Sequence, residues 1–141
     1  MKSQDFGNKA IIVVRRDLEP WQITNTIAHC AAYLGNKLGE KFDTGEYFMS
    51  KDAVQHPRNS QYAIIVLEGT QDHLRALGAE ARKHDLLHLD FIREMIDTTD
   101  DAELEGWVSK KDDKDIEYLG VGVFGPKEIL KEISGKFKLW K

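Results

Sequence analysis

Hydrolysing an ester takes a placed water, a base for its proton and donors that hold the developing oxyanion. His29 and Glu94 are the candidate bases in this sequence, and Gln22 and Asn25, ahead of His29 on one stripe of a helix, are the candidate donors. Cys30 adjoins His29, but helix neighbours point about 100° apart and do not face each other. Cys30 therefore reads as a buried small hydrophobe. His84 and His88 have the spacing of helical metal ligands, yet the sequence turns from helix to strand between them, so no metal site is expected. The chain has no phosphate-cradling glycine loop, no Gly-x-Ser-x-Gly elbow and no His-Glu-x-x-His, and no cofactor is expected.

The elements that must position these residues follow from hydrophobic pattern. Ala10 to Val14 is continuously apolar and mostly β-branched, which predicts a central strand buried on both faces. Pro20 suits a first helical turn and Gly35 a stop, so a helix is expected from about Pro20 to Leu34. Residues 36 to 60 read as a long connection with a short strand at Tyr47 to Ser50. Tyr62 to Leu67 predicts a second buried strand; Thr70 then caps a helix facing the core with Leu74, Leu77, Gly78 and Ala81. Leu87, Leu89 and Phe91 alternate with His88 and Asp90, the pattern of an edge strand wet on one side.

A short helix is expected at Asp100 to Val108, a solvated turn at Lys110 to Asp115 and a strand at Ile116 to Phe124. Gly120 and Gly122 share one face of that strand and should admit a closely packed helix. Pro126 starts a last helix with Ile129, Leu130 and Ile133 inward, Gly135 caps it, and Phe137 to Trp140 fits an edge strand. The alternation predicts an α/β fold, a three-layer α/β/α sandwich on a mixed four- to five-stranded sheet, forming a single domain over 1–141.

The first helix departs from the rest of the chain. Trp21 to Asn36 carries no charged side chain although 31% of all residues are charged. Ile23, Ile27, Ala31 and Leu34 form an apolar stripe, with Gln22, Asn25, His29 and Tyr33 roughly opposite. A polar but uncharged stripe suits a covered surface, because neutral groups can be buried if paired whereas unpaired charges cannot.

Both ends of the chain look familiar. Ile11 to Val14, then Arg15, Asp17, Leu18 and later Cys30, resemble the opening of the type-2 peptidyl-tRNA hydrolases: an apolar strand, Arg-x-Asp-Leu, and a helix bearing a Gln-Cys pair. Gly125 and Pro126, then Ile133 to Leu139, resemble that family's Gly-Pro and closing Thr-Gly-x-Leu-Lys-Leu. The match is closer to a bacterial family of unknown function sharing that fold, which opens Arg-x-Asp-Leu-x-x-Trp-Gln-x-x-Asn, here Arg15, Asp17, Leu18, Trp21, Gln22 and Asn25; Glu94 and Met95 resemble its Glu-Met pair. The resemblance implies a peptidyl-tRNA hydrolase II-like fold with Asp17, Trp21, Gln22 and Asn25 as ligand-binding residues. The hydrolases' lysines at the opening of the first helix are missing, His29 stands in the glutamine position, and Glu94 follows Ile92 and Arg93 where the hydrolases carry Asp-Ala-Gly-Arg-Thr. The usual hydrolase site is therefore not expected.

One cysteine, a polar Met1 to Lys9 and no membrane-length apolar run predict a cytoplasmic protein without disulfides. A net charge of −4 argues against a dedicated nucleic-acid-binding domain. Lys127, Lys131, Lys136, Lys138 and Lys141 nevertheless load the C-terminus, and a basic surface joining them to Arg15 and Arg16 would restore a tRNA partner. The first expectation is a protein binding an unidentified small molecule between the first helix, the long connection and Glu94. The second is a divergent hydrolase of peptidyl-tRNA or an aminoacyl ester, with His29 or Glu94 as base. The third is a homodimer closed by the uncharged helix face.

Overall fold

The computed structural model describes residues 4–42 and 46–141; the start of the polar N-terminal stretch (1–3) and part of the long connection (43–45) lie outside the described residues. Strands β1 (Asp5–Val14), β4 (Tyr62–Glu68), β5 (Leu87–Ile92), β6 (Tyr118–Pro126) and β7 (Lys138–Leu139) form a mixed five-stranded sheet in the order β5-β6-β1-β4-β7. β1 lies in the middle, parallel to β4 and antiparallel to β6, and Ala10 to Val14 are buried on both faces as their pattern requires. A separate hairpin pairs β2 (Tyr47–Met49), close to the expected short strand, with β3 (Gln55–Pro57).

Helix α1 (Pro20–Leu38) covers the face of Ile12, Val14, Leu119 and Phe91. Helices α2 (Gln71–Lys83) and α5 (Lys127–Ser134) cover the other face, with Ile11, Val13, Val121 and Val123. Two short helices, α3 (Arg93–Asp97) and α4 (Asp101–Val108), join β5 to β6. The arrangement is a mixed α/β fold with helices on both sides of the sheet. Thr70 caps α2, accepting from the backbone N–H of His73, and the four residues buried on α2 are Leu74, Leu77, Gly78 and Ala81.

Four expectations are corrected. Helix α1 runs past Gly35 to Leu38 and ends at Gly39, whose φ of +54° is a conformation that glycine adopts without a steric penalty. Its buried line is Thr26, Cys30 and Leu34, with Ile23, Ile27 and Ala31 packed at the flanks, so the helix is rolled relative to the expected stripe. Gly120 and Gly122 are the reason. A Cβ on Gly120 would sit 2.5 Å from Thr26 Cγ2 and 3.0 Å from the Val13 carbonyl oxygen, and one on Gly122 would sit 3.0 Å from Cys30 Cβ. The Thr26 hydroxyl is satisfied within the helix, donating to the Gln22 carbonyl at 2.7 Å.

Strand β4 is not buried on both faces: Ile64 is 40% exposed. The helices pack on β5, β6 and β1, and β7 pairs only with Leu67 and Glu68, so β4 stays partly open. On β5 the side of His88 and Asp90 is not left wet. Gly78 of α2 makes room there for Asp90, whose carboxylate pairs with Arg82.

Because α1 sits in contact with the β6 backbone, Gly120→Ala is expected to cost about 1–3 kcal/mol of unfolding free energy from overpacking. Adding Thr26→Ser removes the opposing methyl and should recover part of that loss, as read by urea denaturation. Equal stability of the wild type and Gly120→Ala would mean that α1 does not sit this close.

Candidate functional site

β1, β4 and β5 end at the same edge of the sheet, where β6 and β7 begin. The chain leaving β1 enters α1 on one face, and the chain leaving β4 enters α2 on the other. Neighbouring parallel strands whose connections depart to opposite faces leave a crevice between them, the usual ligand position in open α/β sheets. A cleft of about 430 Å³ opens there, lined by Arg15, Arg16 and Asp17 after β1, by Glu68, Gly69, Thr70, Gln71 and His73 around the start of α2, and by Lys136 and Lys138.

The cleft is closed on its far side by the antiparallel return of β7 along β4, which sets Lys138 opposite Glu68. Gly69 permits that approach, since a Cβ there would lie 2.8 Å from the Phe137 ring. Arg16 is held by Glu68 Oε2 at 2.5 Å, by the Lys141 backbone oxygen at 3.1 Å and by stacking 4.0 Å from the Trp140 ring centre.

Arg15 ties the edge together. Its guanidinium donates to both carboxylate oxygens of Asp17 at 2.9 and 2.8 Å, and to Gln71 Oε1 and the Tyr118 carbonyl at 3.2 Å each. It also lies 3.7 Å from Glu117, which accepts from Arg93 at 2.5 Å. The hydrogen bonds from Arg15 hold the Asp17 carboxyl below its ordinary range, and the same pairing raises the guanidinium's affinity for its proton. Asp17 thus stays ionised while its side chain is 70% exposed at the cleft mouth.

A family model described as "Protein of unknown function (DUF2000)" matches residues 8–141. The chain belongs to that family. No curated protein matches the DUF2000 chain. A solved structure of a protein of unknown function from Agrobacterium tumefaciens is similar to it, with a TM-score of 0.83 and 23% identity over 97% of this chain and 100% of that chain. At that identity the likeness concerns the fold alone. Neither description names a peptidyl-tRNA hydrolase.

Of the six residues singled out from the DUF2000 sequence, Asp17 lines the cleft and the others are spread around α1 and α3. Gln22 is engaged in a capping box, accepting from the Glu19 N–H at 3.1 Å. Trp21 is 56% exposed, and Asn25 is half-buried. His29 is exposed, its ring stacked over Phe91 at 5.1 Å between centres. Glu94 is 2% exposed, and its Oε1 accepts from Lys111 Nζ at 2.6 Å while Oε2 is buried without a partner among the described residues. Cys30 is fully buried, and burial pushes its thiol up to about 12, leaving it neutral at physiological pH. The described residues hold no group of three or more metal-type ligands, and no helix among them is long and apolar enough to cross a membrane.

Gln71, His73 and Glu68 escaped the sequence reading. No local motif marks them, because the β1–β4 pairing and the return of β7 bring them beside Arg15. The available signal was the pair of basic segments, Arg15 with Arg16 and the C-terminal lysines.

Glu94 behaves as half of a structural ion pair that pins the segment after α4 to α3. Lys111→Ala should therefore cost about 1–3 kcal/mol by stranding a buried carboxylate, and Glu94→Gln in that background should recover part of it. Urea denaturation of the single and double variants measures this. A Lys111→Ala protein as stable as wild type would free Glu94 for another role.

Proposed function

We propose that this protein binds a phosphate-bearing ligand in the cleft between β1 and β4. The observation carrying this reading is the charge around that crevice. Among the described residues that line it, Arg15, Arg16, Lys136 and Lys138 outnumber Asp17 and Glu68, with His73 alongside. Asp17 and Glu68 are taken up by the two arginines, whereas Lys136 and Lys138 have no carboxylate partner among the described residues. Arginines held rigid by carboxylates, next to lysines without a carboxylate partner among the described residues, suit an anion with several oxygens. The volume of about 430 Å³ lies within the range of small-molecule sites.

The same surface supports a longer polyanion. An adjoining cleft lined by Arg16, Glu68, Lys138, Leu139 and Lys141 carries the basic character on to the C-terminus. With the resemblance at both ends of the chain, this makes the tRNA backbone the second source of the same chemistry. Support for ester hydrolysis by His29 and Glu94 is weaker, since Glu94 is closed to water and already paired.

Calorimetry with pyrophosphate and fluorescence anisotropy with bulk tRNA test the reading on wild type and on a Lys136→Glu, Lys138→Glu variant. The variant is expected to lose affinity by about tenfold or more, and for tRNA the salt dependence should flatten by roughly 0.7–0.9 per lost phosphate contact. Saturable pyrophosphate binding identifies a small phosphorylated ligand, and tRNA binding alone identifies the polyanion. Neither binding, or binding indifferent to the two lysines, contradicts the proposal.

A further inference from the structure

We infer that a second groove, lined by none of the residues of the cationic cleft, binds a small amphipathic anion with a medium-length acyl chain. This inference stands independently of the first site. The groove measures about 520 Å³ and runs between α5 and β4. Its floor is Ile11, Ile65, Leu67 and Phe137. The strand register puts Ile11 beside Ile65 and Val13 beside Leu67, on the face that α2 and α5 cover elsewhere. Because α5 packs chiefly on β1 and β6, the β4 part of that face is left incompletely covered among the described residues, and Ile65 and Leu67 remain only half-buried.

Charge defines the occupant. Among the described residues, Lys9, Lys127 and Lys131 rim the floor with Glu128 as the one acid, and none of the three lysines has a carboxylate partner. Lys127 and Lys131 stand four residues apart on α5, a like-charge spacing that weakens a helix, and Lys127 occupies its first turn, where a cation opposes the helix dipole. An anion seated between them would relieve both penalties. From Lys127 to Ser134 the eight residues of α5 span about 12 Å. The groove therefore suits a head group among Lys9, Lys127 and Lys131 and a chain of moderate length along Ile65, Leu67 and Phe137.

The test uses the full chain and three probes below their aggregation concentrations: sodium octanoate, 1-octanol and sodium acetate, followed by amide chemical-shift titration. Octanoate is expected to shift residues 65–67 and 127–135 saturably. Octanol, with the chain and no charge, should bind about tenfold more weakly, and acetate, with the charge and no chain, at least a hundredfold more weakly, on the order of the lost methylene burial. A Lys127→Gln, Lys131→Gln variant, changed only at exposed positions, should fold normally and bring octanoate down to the level of octanol. Absent octanoate binding, octanol binding as tightly as octanoate, or octanoate affinity unchanged in the variant would each overturn the inference. Competition from pyrophosphate would overturn the independence of the two sites.

Discussion

Helix α1 can lie against the sheet only because β6 presents Gly120 and Gly122 to it, and much else follows from that contact. Thr26 and Cys30 take the space that two side chains would otherwise fill. The helix is thereby fixed over the face of Ile12 and Val14, and its first turn is held just beyond Arg15, Arg16 and Asp17. With that face occupied, the connection from β4 goes to the other side, where α2 and α5 enclose Ile11 and Val13. The opposed departures create the crevice, so the candidate site is a consequence of how close one helix comes to one strand.

The same edge is stiffened by charge. Arg15 binds Asp17, Gln71 and the Tyr118 carbonyl at once, linking the ends of β1 and β6 with the start of α2. Glu117 extends the network to Arg93 at the end of β5. A guanidinium engaged in this way serves mainly to hold geometry, and the cations left for a ligand are Lys136, just before β7, and Lys138, on it. The two arginines and the two lysines of the crevice thus come from opposite ends of the sequence.

Much of the architecture was legible in the sequence. The apolar run Ala10 to Val14, the capped helix after Thr70 with its four inward residues, and the edge strand near the C-terminus each follow from periodicity and capping chemistry. The glycine pair correctly announced a closely seated helix. The roll of α1 was not legible, because a wheel ranks residues by hydrophobicity, whereas the sheet selected Thr26 and Cys30 by shape. Nor could spacing reveal the exposure of β4, which depends on how far its neighbours extend. For the site, the charge-free run Trp21 to Asn36 drew attention to α1, whose residues do not line the cleft, and Asp17, chosen from the Arg-x-Asp-Leu resemblance, does. Arg15, Arg16 and the C-terminal lysines stood out as basic segments, but their meeting with Glu68, Gln71 and His73 depends on pairings between distant strands, which leave no local trace.

The central claim is that the crevice between β1 and β4 receives an anion. A titration of isotope-labelled protein with pyrophosphate, mapped amide by amide, tests it most directly. Saturable shifts clustered at residues 15–17, 69–73 and 136–138, with the Gln22 to His29 stretch of α1 little changed, are what this account predicts. Shifts centred on α1 and Glu94 with the crevice silent, or no saturable shifts anywhere, would contradict it.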